Sequence, residues 1–258
     1  VELRWVVGAL IVGTLAGIAL GALQTAGGEG WKIYSITNTG AVGFFANRNF
    51  LGTLLVVNIP FAIVLMGSGK PGKKTEEATF KVVGAAYLLV LLIGIVLNRS
   101  IAAAFIAIPV SLASLALLPL RLSWKWYAAG LAAAIAVAAA LLVTNSPLAS
   151  QMMSGDEVSI QTRVAIWSQT LKIVSDSFPV GTGFGSFREI YAFYEDPALV
   201  NRFYVNNAHN DYLELVLEMG LPGILLICGF LLWWAAGVRR IWRSSDGDLI
   251  AKAATVAS

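Results

Sequence analysis

Long apolar runs separated by short polar breaks dominate the pattern of this 258-residue chain. A helix that crosses a bilayer needs roughly 20 apolar residues. Runs of about that length lie at Trp5–Leu23, Phe50–Gly67, Val82–Leu97, Ile101–Leu120, Trp126–Val143 and Tyr212–Val238. Gly220 and Pro222 interrupt the last run and predict a short helix that breaks before a membrane span starting near Gly223. The pattern therefore predicts an all-α, polytopic membrane helix bundle with about six transmembrane helices.

The amino-acid composition also indicates a membrane protein. Apolar residues make up 57% of the chain, charged residues make up 13%, and the mean hydropathy is +0.74, which lies outside the range of soluble domains. We expect membrane lipids as partners, and no nucleic acid. The single cysteine, Cys228, excludes an intramolecular disulfide and is interpreted as a small packing residue. The chain begins at Val1, close to a span and without a cleavable signal pattern, so we expect it to be the C-terminal part of a longer membrane protein.

Basic residues beside short loops indicate which side of the membrane is cytoplasmic. In a six-span arrangement, three basic breaks fall on the same side as Arg4, so both ends of the chain are predicted to be cytoplasmic. These breaks contain Lys70, Lys73, Lys74, Lys81, Arg121, Lys125, Arg239, Arg240 and Arg243. The predicted division is five transmembrane helices in residues 1–143, a small helical extracytoplasmic segment in 144–211, and the last transmembrane helix with a cytoplasmic tail in 212–258.

Three arginines fall on the outer side, against this charge rule. Arg48 immediately precedes a predicted span, Arg99 lies in a very short turn between two spans, and Arg163 lies in the long outer segment. Each one alone is compatible with an arginine that reaches the headgroups and binds lipid phosphate, or that is simply solvated. Together they make an anion-binding site on the outer face a hypothesis to test.

The outer segment contains a predicted amphipathic helix over residues 160–176. Its apolar positions recur every three or four residues, at Ile160, Val164, Trp167, Leu171 and Val174, and we expect this face to lie against the bundle or the membrane surface. Arg163 borders the same face. The following "FPVGTGFGSF" has alternating glycines without a strand or a Lys-Ser/Thr pair, so it predicts a tight turn rather than a nucleotide-binding loop.

The only histidine, His209, lies in "NNAHNDYLELVLEMG". Asn207, Asn210 or Asp211 can cap the helix that follows. One histidine with nearby carboxylates is a poor set of transition-metal ligands, so we expect no metal and no cofactor. The nearby carboxylates, Asp211, Glu214 and Glu218, are instead expected to orient the histidine or the arginines, or to meet water.

These residues resemble the signature region of the O-antigen ligase and polymerase superfamily. The resemblance is carried by "TRVAIWSQTLKIVSDSFPVGTGFGSF" and "NNAHNDYLELVLEMGLPGILL", with "NRNFLG" and "NRS" as further elements, and covers about residues 44–240. It implies a metal-independent glycosyltransferase of GT-C-like fold, active on the periplasmic face of the bacterial inner membrane. Such enzymes transfer a glycan from an undecaprenyl-diphosphate carrier to an acceptor hydroxyl of a glycolipid, as in lipopolysaccharide and cell-envelope polysaccharide biosynthesis.

The resemblance also implies roles for individual residues. Arg99 and Arg163 correspond to residues that bind the diphosphate, with Arg48 as a further candidate, and His209 corresponds to the essential histidine. Asn210, Asp211, Glu218 and Trp167 are possible supporting residues, with packing favoured over sugar stacking for the tryptophan. These roles suit the chemistry, because arginine grips phosphate through paired donors and a neutral imidazole can accept or orient a hydroxyl proton.

Three functions remain open at this stage. The compact signature favours a ligase of the lipid A-core type over a polysaccharide polymerase, which uses the same chemistry on a different acceptor. A transporter of the inorganic-carbon-uptake type in the same superfamily is the third alternative. Ion coupling usually needs an acidic residue or a lysine inside a span, and the cores of the six predicted spans contain none.

Overall fold

The computed structural model describes residues 2–31, 33, 40–68, 72–118, 157–195, 205–244 and 248–258. Throughout these ranges the regular secondary structure is helical. The α-helices are α1 (Glu2–Gly27), α2 (Arg48–Met66), α3 (Lys74–Asn98), α4 (Ile101–Ser114), α5 (Glu157–Ser177), α6 (Phe187–Tyr194), α7 (Asp211–Arg243) and α8 (Leu249–Ala257), with short 3-10 helices at Gly28–Trp31 and Leu115–Leu117. The predicted all-α, polytopic membrane class is confirmed.

Among the described residues, four helices are long and apolar enough to cross a membrane: α1, α2, α3 and α7. The predicted span over Ile101–Leu120 is shorter than expected, because the helical stretch ends at Leu117. Leu118 is extended, with φ −85° and ψ 151°, as expected for a residue that precedes a proline. The predicted span over Trp126–Val143 lies outside the described residues.

The chain divides into two compact units. The first comprises Val1–Ala149 with Ile241–Ser258, and the second comprises Ser150–Arg240. These two units are defined by contacts within the chain. The three parts predicted from the sequence instead separate membrane-spanning from water-exposed segments, and they remain a prediction.

Helix α2 is at the centre of the first unit. Its Leu51, Leu55 and Ile59 are fully or almost fully buried, as is Leu91 of α3. Helix α8 packs into the same core through Ala253, which is fully buried. The sequence interpretation of this region as a cytoplasmic tail missed α8, whose small apolar residues gain their partners from α2, α4 and the 3-10 helix at Leu115–Leu117.

A buried polar cluster joins three of the candidate spans. The Asn58 side chain donates to Thr14 Oγ1 at 2.9 Å and accepts from the Tyr87 hydroxyl at 2.8 Å, and Thr14 donates to the Leu10 carbonyl oxygen at 2.7 Å. Polar groups inside a bilayer have no water to bind, so they must find partners within the protein. The cluster therefore fixes the relative register of α1, α2 and α3.

The second unit is built from α5, α6 and α7. Its core contains Ile166 and Ile173 of α5, Phe187 and Tyr191 of α6, and Leu217 of α7. Burial raises the pKa of the Tyr191 hydroxyl, and the nearby Glu195 carboxylate raises it further. The tyrosine therefore stays protonated at neutral pH.

Two sequence predictions for this unit have different outcomes. The predicted break in the last span is confirmed, because Gly220 has φ 57° and ψ −136° within α7. The apolar face predicted for α5, expected against the bundle or the membrane surface, is only partly buried within this unit, and its contact with a membrane remains a prediction. Val164 and Leu171 are exposed, while Ile166, Thr170 and Ile173 are buried. The buried face is rotated because α6 and the Ala208 loop, whose positions depend on tertiary structure, cover one side of the helix.

We predict that Asn58→Ala lowers the stability of the first unit. The substitution leaves the buried Tyr87 hydroxyl without its acceptor, which costs roughly 1–3 kcal/mol. The apparent melting temperature in detergent should fall by several degrees. Thr53→Ala is a matched control on the same helix, since Thr53 is exposed and its hydroxyl binds only the Asn49 carbonyl oxygen of its own helix. Equal melting temperatures for the two variants would contradict a stabilising role of the cluster.

Candidate functional site

Arg48 and Arg99 project from one hydrogen-bonded end of the first unit. The buried Asn98 side chain donates to the Arg48 carbonyl oxygen at 2.7 Å and to the Ala41 carbonyl oxygen at 2.8 Å. The Ser100 hydroxyl donates to Asn49 Oδ1 at 2.8 Å. The "NRN" and "NRS" sequences are therefore joined directly, and the two arginines lie at the same end of the helix bundle.

The turn that carries Arg99 is fixed by caps on both sides. Arg99 has the left-handed conformation, with φ 56°, and its N–H donates to the Ile95 carbonyl oxygen at the end of α3. Ser100 caps α4 by accepting from the Ala103 N–H at 3.2 Å. The turn confirms the short connection predicted from the sequence, and the Arg99 side chain is exposed.

Residues 41–43, which Asn98 binds through the Ala41 carbonyl oxygen, are also held by Gln24 of α1. Its side-chain oxygen accepts from the N–H groups of Val42 and Gly43, and its amide donates to the Gly43 carbonyl oxygen at 2.8 Å. The sequence interpretation missed Gln24 and Asn98. Their signal was a polar side chain inside or at the end of an apolar run, which must find a partner once it is buried.

The His209 loop of the second unit is held through the residue before the histidine. Ala208 is completely buried, its carbonyl oxygen accepts from the Trp167 indole N–H at 2.8 Å, and its N–H donates to Glu214 Oε2 at 2.8 Å. Trp167 is partly buried, so packing and positioning describe it better than an exposed stacking platform. Glu214, one of the carboxylates expected to orient the histidine, binds the backbone N–H of the residue before it.

Asn210 holds the loop on the other side of the histidine. Its side-chain oxygen accepts from the Leu213 N–H at 3.2 Å and its carbonyl oxygen accepts from the Glu214 N–H at 3.0 Å, so it caps α7 as predicted. Asp211 is exposed in the first turn of α7, where a negative charge suits the helix dipole. His209 itself is exposed and left-handed, with φ 52°.

His209 and Arg99 share an uncommon backbone conformation. Among the described residues they are the two non-glycine residues with positive φ. This conformation costs free energy in a residue with a Cβ and persists only where the surrounding structure imposes it. Both residues were singled out from the sequence for their chemistry, and both lie at the tip of a turn that is bound on either side.

Arg163 lies on α5, one helical turn before Trp167, and side chains four residues apart on a helix are neighbours. Since the Trp167 indole binds the carbonyl oxygen of the residue before His209, Arg163 is one turn along α5 from the residue that holds the histidine loop. Within the described part of the chain, no carboxylate forms an ion pair with Arg163 or with Arg99.

The glycine turn after α5 docks on the break in α7. Thr182 and Gly183 donate their N–H groups to the carbonyl oxygens of Leu217 and Glu218, at 3.0 and 2.9 Å. At Gly181, with φ 85°, a Cβ would lie 2.5 Å from the Glu218 carbonyl oxygen, so the close approach requires glycine. The tight turn predicted from the sequence is confirmed.

Glu218 supports α6 rather than the histidine. Its Oε1 accepts from the Phe187 N–H at 3.1 Å, at the first residue of α6, and the residue is buried. The expectation that Glu218 orients His209 or an arginine finds no contact in the described residues. The part of the chain that the structure describes also contains no group of three histidine, cysteine or acidic side chains arranged to hold a metal.

The fold defines a multi-pass helical membrane protein. Arg99 and His209 lie on turns at helix ends, and Arg48 is the first residue of α2. A family model described as O-antigen ligase matches residues 86–228, more than half of the chain. The match includes Arg99, Arg163 and His209, and it begins after Arg48. No curated protein and no solved structure matches the chain. The chain belongs to the O-antigen ligase family, which indicates a glycosyltransferase of the ligase or polymerase type.

We predict that Gly181→Ala destabilises the second unit more than Gly183→Ala does. Both glycines have positive φ, but a Cβ at Gly183 would meet no atom within 4 Å. The two variants therefore share the backbone strain and differ in the collision with α7. The expected result is a clearly lower melting temperature, and faster proteolysis of the turn, for Gly181→Ala than for Gly183→Ala. Similar losses in both variants would show that strain, and not docking on the α7 break, dominates.

Proposed function

We propose that this protein transfers a glycan from an undecaprenyl-diphosphate carrier to an acceptor hydroxyl, most specifically as a lipid A-core-type ligase. The activity would lie at the outer face of the bacterial inner membrane, with both chain ends in the cytoplasm. The observation that carries the proposal is the Trp167–Ala208 hydrogen bond, which keeps His209 beside the helix that bears Arg163. A base and a phosphate-binding group are then available to one substrate.

The reaction requires one bond to form and one to break at the anomeric carbon of the glycan. The acceptor hydroxyl oxygen bonds to that carbon while the bond from the carbon to the diphosphate oxygen breaks. The diphosphate leaves with the electron pair, and the hydroxyl proton passes to the His209 imidazole. Atoms and charges balance without a co-reactant.

The arginines are suited to the leaving group. Charge develops on the diphosphate as the bond breaks, and fixed guanidinium groups stabilise that charge through paired N–H donors. Arg163 is exposed on α5, the helix that binds the His209 loop, while Arg99 and Arg48 share the hydrogen-bonded end of the first unit. Arg163 is the diphosphate ligand that the second unit offers, and Arg99 and Arg48 are assigned to the diphosphate on the resemblance alone.

His209 is suited to the acceptor hydroxyl. Its imidazole is exposed, while bonds to Ala208 and Asn210 hold the backbone on both sides. A positioned base of this kind typically contributes roughly 10²- to 10⁴-fold to a rate. Trp167, Glu214 and Asn210 act as positioning residues in this scheme, since each binds the backbone and none needs to touch the substrate.

We predict that His209→Ala abolishes most glycan transfer while the protein remains folded. The assay uses the full chain in vesicles with a lipid-linked glycan and a glycolipid acceptor, and the rate should fall roughly 10²- to 10⁴-fold. Asn207→Ala is the matched control, because Asn207 is exposed in the same loop. Full activity of His209→Ala at normal membrane level would exclude the catalytic role.

Product length separates the alternatives, since a ligase adds one preformed glycan and a polymerase lengthens its product.

We predict that Arg163→Lys also fails to support normal transfer. Lysine keeps the charge but cannot form the paired contact, and the loss of one charge-assisted hydrogen bond is worth roughly 1.5–3 kcal/mol, or about a 10- to 100-fold fall in kcat/KM for the donor. Lys172→Arg is the reciprocal control on the same helix, where Lys172 is exposed. If Arg163→Lys retained the rate of the unaltered protein, Arg163 would be only a solvated charge.

A further inference from the structure

A line of exposed apolar side chains follows α5. Val164, Leu171 and Phe178 have exposed fractions of 56%, 57% and 50%. They are spaced seven residues apart, which is close to two helical turns, so the first two lie on one line along α5 and the third extends that line past its end. This line is separate from the buried face that holds Ile166 and Ile173 against the core.

The same apolar character continues into the glycine turn. Val180 is 77% exposed and Phe184 is 84% exposed. We call Val164, Leu171, Phe178, Val180 and Phe184 together the apolar strip. Large apolar side chains that remain this exposed over a continuous stretch usually mark a binding surface for protein or membrane.

The apolar strip is tied to the edge of a membrane span. The Leu221 N–H of α7 donates to the Pro179 carbonyl oxygen at 2.8 Å, and the turn also binds the Leu217 and Glu218 carbonyl oxygens. Residues 221–238 of α7 carry no charge and are bounded by Glu218 and Arg239. At about 1.5 Å per residue this run is about 27 Å long, close to the thickness of the hydrocarbon core. The turn is therefore fixed where α7 enters the membrane.

We propose that the apolar strip rests in the lipid interface of the leaflet at the N-terminal end of the α7 span. The bilayer is the occupant because Pro179, between Phe178 and Val180 of the strip, binds the backbone of Leu221, and Leu221 and Leu225 are exposed apolar residues of the span itself. Aromatic and aliphatic side chains on an amphipathic helix bind the headgroup boundary in this manner. Helix α5 then lies along the membrane surface, and Arg163 is held at the level of lipid phosphates.

Contact of the apolar strip with the membrane does not depend on glycan transfer, so the experiment tests it independently of the proposed function. The test uses the full chain with Cys228→Ser, to remove the single exposed thiol. Leu171→Cys and Phe184→Cys are each labelled with a polarity-sensitive fluorophore and reconstituted in phosphatidylcholine liposomes. Lys172→Cys is the matched control, since it is exposed on the same helix and adjacent to Leu171.

The expected result is blue-shifted emission at both strip positions. Quenching by a nitroxide near the headgroup end of a lipid chain should be severalfold stronger than at Lys172, and quenching by aqueous iodide should be severalfold weaker. Efficient iodide quenching at all three positions would overturn the proposal, because the strip would face water. Protection from both quenchers at Leu171 and Phe184 would overturn it as well, because protein would cover the strip. Matching circular dichroism and elution volume establish that the variants are folded.

Discussion

The break in α7 is the constraint on which the second unit depends. A helix that enters a membrane cannot leave backbone groups without partners, yet Gly220 leaves the helical conformation and Pro222 has no N–H to donate. The glycine turn supplies what the helix lacks, because it accepts from Leu221 and donates to the carbonyl oxygens before the break. This repair fixes the end of α5 and, through the Glu218 carboxylate, the start of α6. The helix that bears Arg163 is thereby tied to the one that follows His209.

Local patterns predicted most of the membrane helices and the turns that interrupt them. The apolar runs predicted α1, α2, α3 and the span of α7, and glycine and proline predicted the break, because these signals act within a few residues. The fourth helical stretch ends early, at Leu117, and the proline after Leu118 is a local signal for that end. The sequence analysis gave more weight to the length of the apolar run. Helix α8 and the rotated face of α5 could not be read in the same way, since their burial depends on partners distant in sequence.

The residues of the candidate site were likewise predictable only where their signal is local in the sequence. Arg48, Arg99, Arg163 and His209 were selected from charge placement and from resemblance, and these signals are present in the residues themselves. The groups that hold these residues could not be predicted in this way, because each one binds a partner far away in the sequence. These pairs are Gln24 with Gly43, Asn98 with Arg48 and Trp167 with Ala208, at separations of 19, 50 and 41 residues. The positive φ of His209 and Arg99 could not be predicted either, since it depends on the hydrogen bonds on either side of each residue. Residue identity indicated the chemistry, and tertiary contacts determine its geometry.

The burial of Ala208 limits which sequences can preserve this arrangement. Both of its backbone polar groups are occupied and the residue is fully buried, so a larger side chain at this position has no free space in the core that Ala208 shares with Ile166 and Leu217. A small residue is needed immediately before the histidine, although it takes no part in any reaction. The tolerance of this loop to substitution is therefore set by volume at position 208 as much as by the imidazole beside it.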